Sequence, residues 1–246
     1  MDKFKARMVG LALASAVLSV PGAAVAGVIV KSTGPSTATY PVGKKVPDTS
    51  TITLRAGDKI TVLTNGGTKV MQGPGTFRVG EGATRTRARF ARLTRQGASN
   101  RARTGAVRGA GGASSTMPNL WLVNVTTSGN TCLYDLDNVR LWRPSSGEGE
   151  TYTIAQQGGE VALDVSFVET ESMRSLDPEG LRLADGGSYT ITGPSAGEDQ
   201  GSSVDVKIVA LTETYRQPDL LAEALAENGC MGQLSVVGDI AEAEAS

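Results

Sequence analysis

Two pairs of acids, a run of arginines and two cysteines are the residues best suited to chemistry in this sequence. Asp135 and Asp137 alternate along an extended stretch, as do Glu169 and Glu171, so either pair could share one side of a strand. Such a pair can bind Ca²⁺ or divide the roles of general acid and base, although neither has the Asp-x-Asp-x-Asn-Gly spacing of a calcium loop. A solvated strand face is the favoured reading of both pairs. The chain has no histidine. That removes Ser-His-Asp and Cys-His catalysis and the histidine-based metal sites together. No G-x-S-x-G elbow is present, and Val42–Lys45 (VGKK) lacks the glycine spacing and Ser/Thr of a phosphate loop. No catalytic residue, cofactor site or metal site is expected.

The arginine run, Thr84 to Gly112, resembles an arm that grips phosphates. Its candidate interaction residues are Arg85, Arg87, Arg89, Arg92, Arg95, Arg101 and Arg103. Charge is divided sharply along the chain. From Gly27 to Thr76 six Lys/Arg stand against two Asp; from Phe77 to Gly112 nine Arg stand against Glu81 alone; from Ala113 onward six basic residues face 21 acids. The near-zero total conceals a strongly dipolar chain. An arginine helix beside an acidic domain has a Coulombic reason to dock on it, and the same charge could meet an acidic partner in trans. Nucleic acid is not an expected partner, because the segment has one aromatic for base stacking and the chain is read as exported. Contact with a membrane surface is possible but not favoured, since the apolar stripe is thin.

Export is read from the N-terminus. Lys3, Lys5 and Arg7 precede an apolar run from Met8 to Val20, then small residues at Ala24 and Ala26. The run is about 13 residues, short of the roughly 20 that span a bilayer, and the layout is that of a signal peptide cleaved near Ala26/Gly27. The mature chain is therefore expected in the periplasm. In an oxidising compartment Cys132 and Cys230 are expected to form one structural disulfide.

These residues must be positioned by a mainly β framework. "TITLRAGDKITVLTNGGTKVMQGPGTFRV" holds short β-branched runs separated by AGD, NGG and GPG turns. Lys59 to Thr64 and Thr68 to Gln72 are expected to pair as an antiparallel hairpin, with positive φ at Asn65 and Gly66, Ile60 and Val62 on one face, and Val70 answering them. Ala83 to Gln96 reads as a helix with Phe90, Leu93, Ala83 and Ala91 in one modest apolar stripe, stopped by Gly97. From Pro118 six strand-like runs return, and Val161, Leu163, Val165 and Phe167 share one face of the clearest. The pattern predicts an immunoglobulin-like β-sandwich. Pro218 opens a helix that Gly229 stops, "QLSVV" reads as a last strand, and the EAEAS tail is expected to fray. The disulfide would staple this helix to the sheet.

The spacing L-x-A-G-D-x-I-x-V-L…G-G-x-x…G-P-G-x-F, within Gly27 to Val79, resembles the FecR-type periplasmic domain. The whole chain also resembles an uncharacterised exported family of Gram-negative bacteria. The FecR resemblance implies a small β domain of an exported or membrane-tethered regulator. The sequence carries neither the membrane segment nor the cytoplasmic part that acts on a sigma factor, so only periplasmic sensing or interaction is implied. The expected layout is a signal peptide (1–26), a FecR-like β domain (27–80), an Arg-rich helix and linker (81–117), and an acidic β-sandwich with one C-terminal helix (118–246). The expected function is non-enzymatic binding or scaffolding in the periplasm through protein–protein contacts, in envelope sensing or signalling. The alternative is a module for an envelope glycan or anionic lipid, with Trp121, Trp142, Tyr152 and Tyr189 as a stacking platform unless they are core residues. A carboxylate-based hydrolase ranks third.

Overall fold

The structure is a computed structural model that describes residues 26–84, 88–94, 117–144, 148–194, 202–213 and 215–245. The expected signal peptide lies outside the described residues. The first part of the chain forms strands β1 (Ala26–Thr33), β2 (Lys45–Pro47), β3 (Thr51–Leu54), β4 (Lys59–Thr64), β5 (Gly67–Gln72) and β6 (Gly75–Arg78). A four-stranded sheet runs in the order β2-β1-β4-β5, and β3 pairs with β6 in a second layer. Strand β4 is buried on both faces, so that Thr61 and Thr64 are buried along with Ile60, Val62 and Leu63. Ile60 and Val62 pack with Ile29, Ile52, Leu54 and Met71 beneath the small sheet, whereas Leu63 joins Val28 and Val30 on the opposite side.

The expected β4–β5 hairpin is present, with a different register. Ile60 lies opposite Met71 and Thr61 opposite Val70. Met71, not Val70, therefore answers Ile60, because the two-residue loop closes on Thr64 and Gly67 and fixes the pairing. The residue with positive φ is Gly67, at 133°, and neither Asn65 nor Gly66.

Asp58, in the AGD turn, is buried and fully engaged. Its carboxylate accepts the Ser36 N–H (2.7 Å), the Ser36 hydroxyl (2.6 Å) and the Arg55 N–H (2.5 Å), clamping the 34–40 loop to the β3–β4 turn. Burial raises its pKa, but the donors from Ser36 and Arg55 outweigh that and hold the carboxyl below its ordinary value. A depressed carboxylate stabilises the fold above its unfolded pKa of about 3.9, and that contribution is lost as pH falls through the folded value.

The second part supplies α1 (Ala88–Leu93), β7 (Leu122–Asn124), β8 (Gly129–Leu133), β9 (Arg140–Trp142), β10 (Glu150–Gln156), β11 (Ala162–Phe167), β12 (Met173–Ser175), β13 (Ser188–Thr192) and β14 (Ser203–Ala210). A five-stranded sheet, β11-β10-β13-β14-β8, faces a three-stranded one, β12-β9-β7. Both sheets contribute to one apolar core that includes Leu133, Leu141, Ile154, Phe167, Tyr189, Ile191 and Ile208. The chain is thus mainly β, with sandwich-like sheets. Along β11, Val165 and Phe167 are buried and Leu163 is half-buried, but Val161 is 49% exposed.

Two helices close the chain, α2 (Pro218–Glu227) and α3 (Met231–Ala245), where one helix was expected. "QLSVV" is helical, and the tail does not fray but continues α3 to Ala245. Gln233, Leu234, Val237, Gly238 and Ala241 are buried, a spacing that follows a helical stripe rather than strand alternation. Both helices pack between the first sheet and β8, in a core joining Val28, Val30 and Leu63 to Leu120, Cys132, Leu225, Leu234 and Val237. Close approach is set by Gly238. A Cβ there would lie 2.6 Å from the Val30 carbonyl oxygen, at the bulge of β1.

Cys132 in β8 is bonded to Cys230, between the two helices, with their Cα atoms 5.9 Å apart. Beside it, the buried Gln233 side chain accepts the Cys132 N–H (2.7 Å) and donates to the carbonyls of Cys132 and Leu120 (2.7 Å each). The bond closes a loop of sequence separation 98. Replacing both cysteines by alanine should lower unfolding free energy by about 2–5 kcal/mol in urea titrations, as is typical for loss of a native disulfide. An unchanged denaturation midpoint would mean that the helices are held by packing alone.

Candidate interaction site

Helix α1 is the described part of the arginine-rich segment, and it is shorter than the expected span of Ala83 to Gln96. Ala83 and Thr84 lie before the helix. Thr84 forms a bridge with Thr68 of β5, exchanging N–H···O bonds of 2.8 and 2.7 Å. The helix buries Phe90 and Leu93 of the expected stripe in the core shared with α3, whereas Ala91 is exposed and Ala83 precedes the helix. Its far end is held too. Leu93 and Thr94 present carbonyls to the Leu120 N–H (3.3 Å) and the Trp121 indole N–H (3.0 Å), and Thr94 caps the last turn by donating its hydroxyl to the Phe90 carbonyl (3.0 Å). Both entry to and exit from the helix are therefore pinned to the framework.

Arg89 and Arg92 occupy helix positions within α1, with their side chains outside what is described. Arg85, Arg87, Arg95, Arg101 and Arg103 lie outside the described residues. What is visible is how carboxylates of the two C-terminal helices are used. Lys31 reaches Asp239 and Glu242 (2.8 Å each), Lys59 also reaches Glu242, and Lys45 bonds Glu223 and Glu227. The hydrogen bonds it donates to those two carboxylates hold the Lys45 ammonium above its ordinary pKa. Exposed pairs of this kind contribute about 0–1 kcal/mol each, but together they fix the orientation of the helices on the first sheet.

Of the carboxylates singled out in the sequence, Asp135, Asp137 and Glu171 are bonded within the framework. Asp135 folds back on its own loop, accepting the N–H groups of Asp137 (2.9 Å) and Asn138 (3.1 Å) and the Asn138 side-chain amide (2.8 Å). The Asn138 side chain is the largest influence lowering its pKa. Asp137 turns away to Arg182, 3.0 Å distant. Glu171 accepts the Val168 N–H (3.0 Å) and approaches Arg174, while Glu169 is exposed. No group of three or more metal-ligating side chains occurs among the described residues. The aromatics are separated as well. Trp121 meets Tyr134 edge-on at 4.3 Å near α1, Trp142 packs with Met117 and Leu122, and Tyr152 and Tyr189 are buried in the sandwich core. They form no common platform.

Two sites escaped the sequence reading. Arg143, fully buried, stands over Phe167 and donates to the carbonyls of Glu171 (3.0 Å), Glu148 (2.8 Å) and Val168 (3.2 Å) and to the Glu150 carboxylate. Tyr152 donates its hydroxyl to the same carboxylate (3.0 Å), and burial followed by that bond pushes its pKa up to about 12. Nothing in the sequence distinguished Arg143 from the other basic residues of the acidic region.

The second is a like-charge pair. Asp48 follows β2 and lies within electrostatic reach of the buried Asp219 in the first turn of α2. One Asp48 oxygen is buried without a hydrogen-bond partner, and burial, followed by repulsion from Asp219, raises its pKa. The two lie 171 positions apart in the sequence, so no local pattern could reveal them.

No described helix is long and apolar enough to cross a membrane. No family model, curated protein or solved structure matches the chain.

Two outcomes follow from this geometry. A carboxyl with raised pKa contributes stability below its unfolded pKa and loses it as pH rises through the folded value, so Asp48→Asn should raise Tm at neutral pH and leave it nearly unchanged near pH 3, by about the unfolded aspartate pKa. A lower Tm at neutral pH would reveal a favourable partner for the Asp48 carboxylate. Phe90→Ala removes a buried aromatic anchor, a change that typically costs about 3–5 kcal/mol in a packed core. Because α1 is pinned locally, the expected readout is faster proteolysis within Thr84 to Gly112 than elsewhere. Cleavage kinetics equal to those of the unaltered protein would show that α1 is not held by this face.

Proposed function

We propose that the protein is an exported, non-enzymatic binding or scaffold protein of the periplasm, acting through protein–protein contacts in envelope sensing or signalling. In this reading the first sheet is a FecR-like domain, the sandwich is immunoglobulin-like, and the arginine segment recognises an acidic partner in trans. The observation that carries it is the attachment of α1. Phe90 and Leu93 root the basic segment in the central core, with hydrogen bonds at Thr84 and Trp121 on either side. Among the described residues, Lys31, Lys45 and Lys59 engage carboxylates on α2 and α3. A rooted basic segment suits recognition because its ordering cost is partly met before a partner arrives.

Other features support the same reading. A disulfide is consistent with an oxidising compartment, and the basic, apolar and small-residue sections of the N-terminus fit export with cleavage near Ala26/Gly27. Asp135, Asp137 and Glu171, three of the candidate catalytic carboxylates, are held in turns and ion pairs.

The test is affinity capture of the tagged mature protein from a cross-linked envelope fraction, beside a variant carrying Arg85→Glu, Arg89→Glu and Arg92→Glu. A protein recovered with the unaltered chain and lost with the variant is the expected result. Recovery of no protein with either, together with retention on anionic vesicles or cell-wall glycan, would replace the protein partner with an envelope ligand.

A further inference from the structure

Strand β11 is the outer strand of the five-stranded sheet, paired on one side with β10. Its hydrogen-bonding phase is fixed at the hairpin end, where the Gln156 N–H donates to the Val161 carbonyl at 3.3 Å. Antiparallel pairs alternate between bonded and non-bonded, so with Ala155 opposite Ala162 the backbone N–H and C=O groups of Ala162, Asp164 and Ser166 point away from β10. All three residues are exposed. No described residue forms a backbone hydrogen bond with them.

Among the described residues, the other edges of the three larger sheets are protected. β2 is short and ends in Pro47; β5 is bridged by Thr84, and the Lys69 ammonium holds the carbonyls of Arg78 and Glu81 alongside it; the Cys132 backbone on β8 is capped by Gln233; β7 and β12 have three residues each. Strand β11 has six residues and no proline, lysine or bulge, which are the usual devices against edge pairing. Its surroundings favour one kind of visitor. Between Arg143 and Arg174 the chain carries six acids and no Lys or Arg. Glu160, Asp164 and Glu169 are exposed along the strand and its flanks. The strand is bracketed by two of the most exposed large apolar side chains, Val161 at 49% and Val168 at 62%.

We propose that β11 is a docking edge for an extended, basic peptide segment of a partner protein, which adds as a sixth strand to the five-stranded sheet. Backbone hydrogen bonds to Ala162, Asp164 and Ser166 supply the ladder, basic side chains of the peptide lie over Asp164 and its acidic flanks, and apolar side chains cover Val161 and Val168. The inference rests on the protein-binding reading and gives it a second surface, opposite in charge to the arginine segment.

The probe is a fluorescent octapeptide of alternating lysine and valine, titrated into the full mature protein by anisotropy. A control peptide of the same sequence is methylated on alternate backbone nitrogens. Ser166→Pro removes an N–H that faces away from β10, so it blocks the edge without removing a β10–β11 backbone bond. Asp164→Lys serves as a second variant should the proline impair folding. The expected result is binding weakened about tenfold or more by backbone methylation and by either folded variant, a loss of one order of magnitude in Kd. Binding that ignores methylation would be charge attraction alone and would overturn the proposal. So would binding unaffected by both variants, absence of binding, or a concentration-dependent dimer abolished by Ser166→Pro, which would make the occupant a second copy. The assay reads β11 without any envelope protein. Its failure with successful arginine-dependent capture refutes the edge alone, whereas peptide binding without capture refutes the arginine reading.

Discussion

A helix lies against two sheets at once, and both contacts leave it almost no freedom. On one side Gly238 brings the α3 backbone against the Val30 carbonyl, where a single methyl group would collide. On the other, the Gln233 amide imitates a neighbouring strand by satisfying both backbone groups of Cys132. A buried peptide group left unpaired costs about 1–3 kcal/mol, so this amide is required wherever α3 covers that edge. The disulfide at the same residue fixes the segment between α2 and α3 to the strand that Gln233 completes. The first sheet and the sandwich thus share one central core through these two helices, and the position of α1 follows because Phe90 and Leu93 enter that core.

Charge joins the first sheet to the C-terminal helices. Among the described residues, lysines of β1, β2 and β4 stand against carboxylates of α2 and α3. One consequence is that the helices carry acids on a face the first sheet requires. Crowding of acids has a cost, visible at Asp48 and Asp219, where a carboxylate is held close to another instead of to a cation.

Local pattern made much of the architecture legible. Asn65-Gly66 between β-branched runs located the β4–β5 hairpin, alternation identified β11, Pro218 marked the start of α2, and the two cysteines paired as expected. Reading failed where distant groups decide the outcome. Val236 and Val237 favour a strand locally, but the alanines and glutamates that follow and the stripe facing the shared core make the segment helical. The register of β4 and β5 turned on a loop geometry that dipeptide preference does not specify. At the candidate site, the Phe90–Leu93 spacing disclosed the docking face, while Asp58, Arg143 and Gln233 looked like ordinary polar residues. Their roles come from backbone groups brought to them by other parts of the chain, and composition carries no trace of such contacts.

Arg143 gathers carbonyls from Glu148, Val168 and Glu171, which flank the two ends of the β10–β11 hairpin, while its own backbone N–H bonds the Ser172 carbonyl beside β12 (3.0 Å). The hairpin is consequently clamped at its root by Arg143 and along β10 by pairing with β13, which leaves the outer margin of β11 as its one unpaired side among the described residues. A load applied at that margin cannot be absorbed by loosening the base, because a fully buried guanidinium would first have to give up several charge-assisted bonds in a water-poor setting. Arg143, at the end of β9, thereby ties the root of the hairpin to the opposite sheet by polar bonds as well as through the apolar core that the two sheets share.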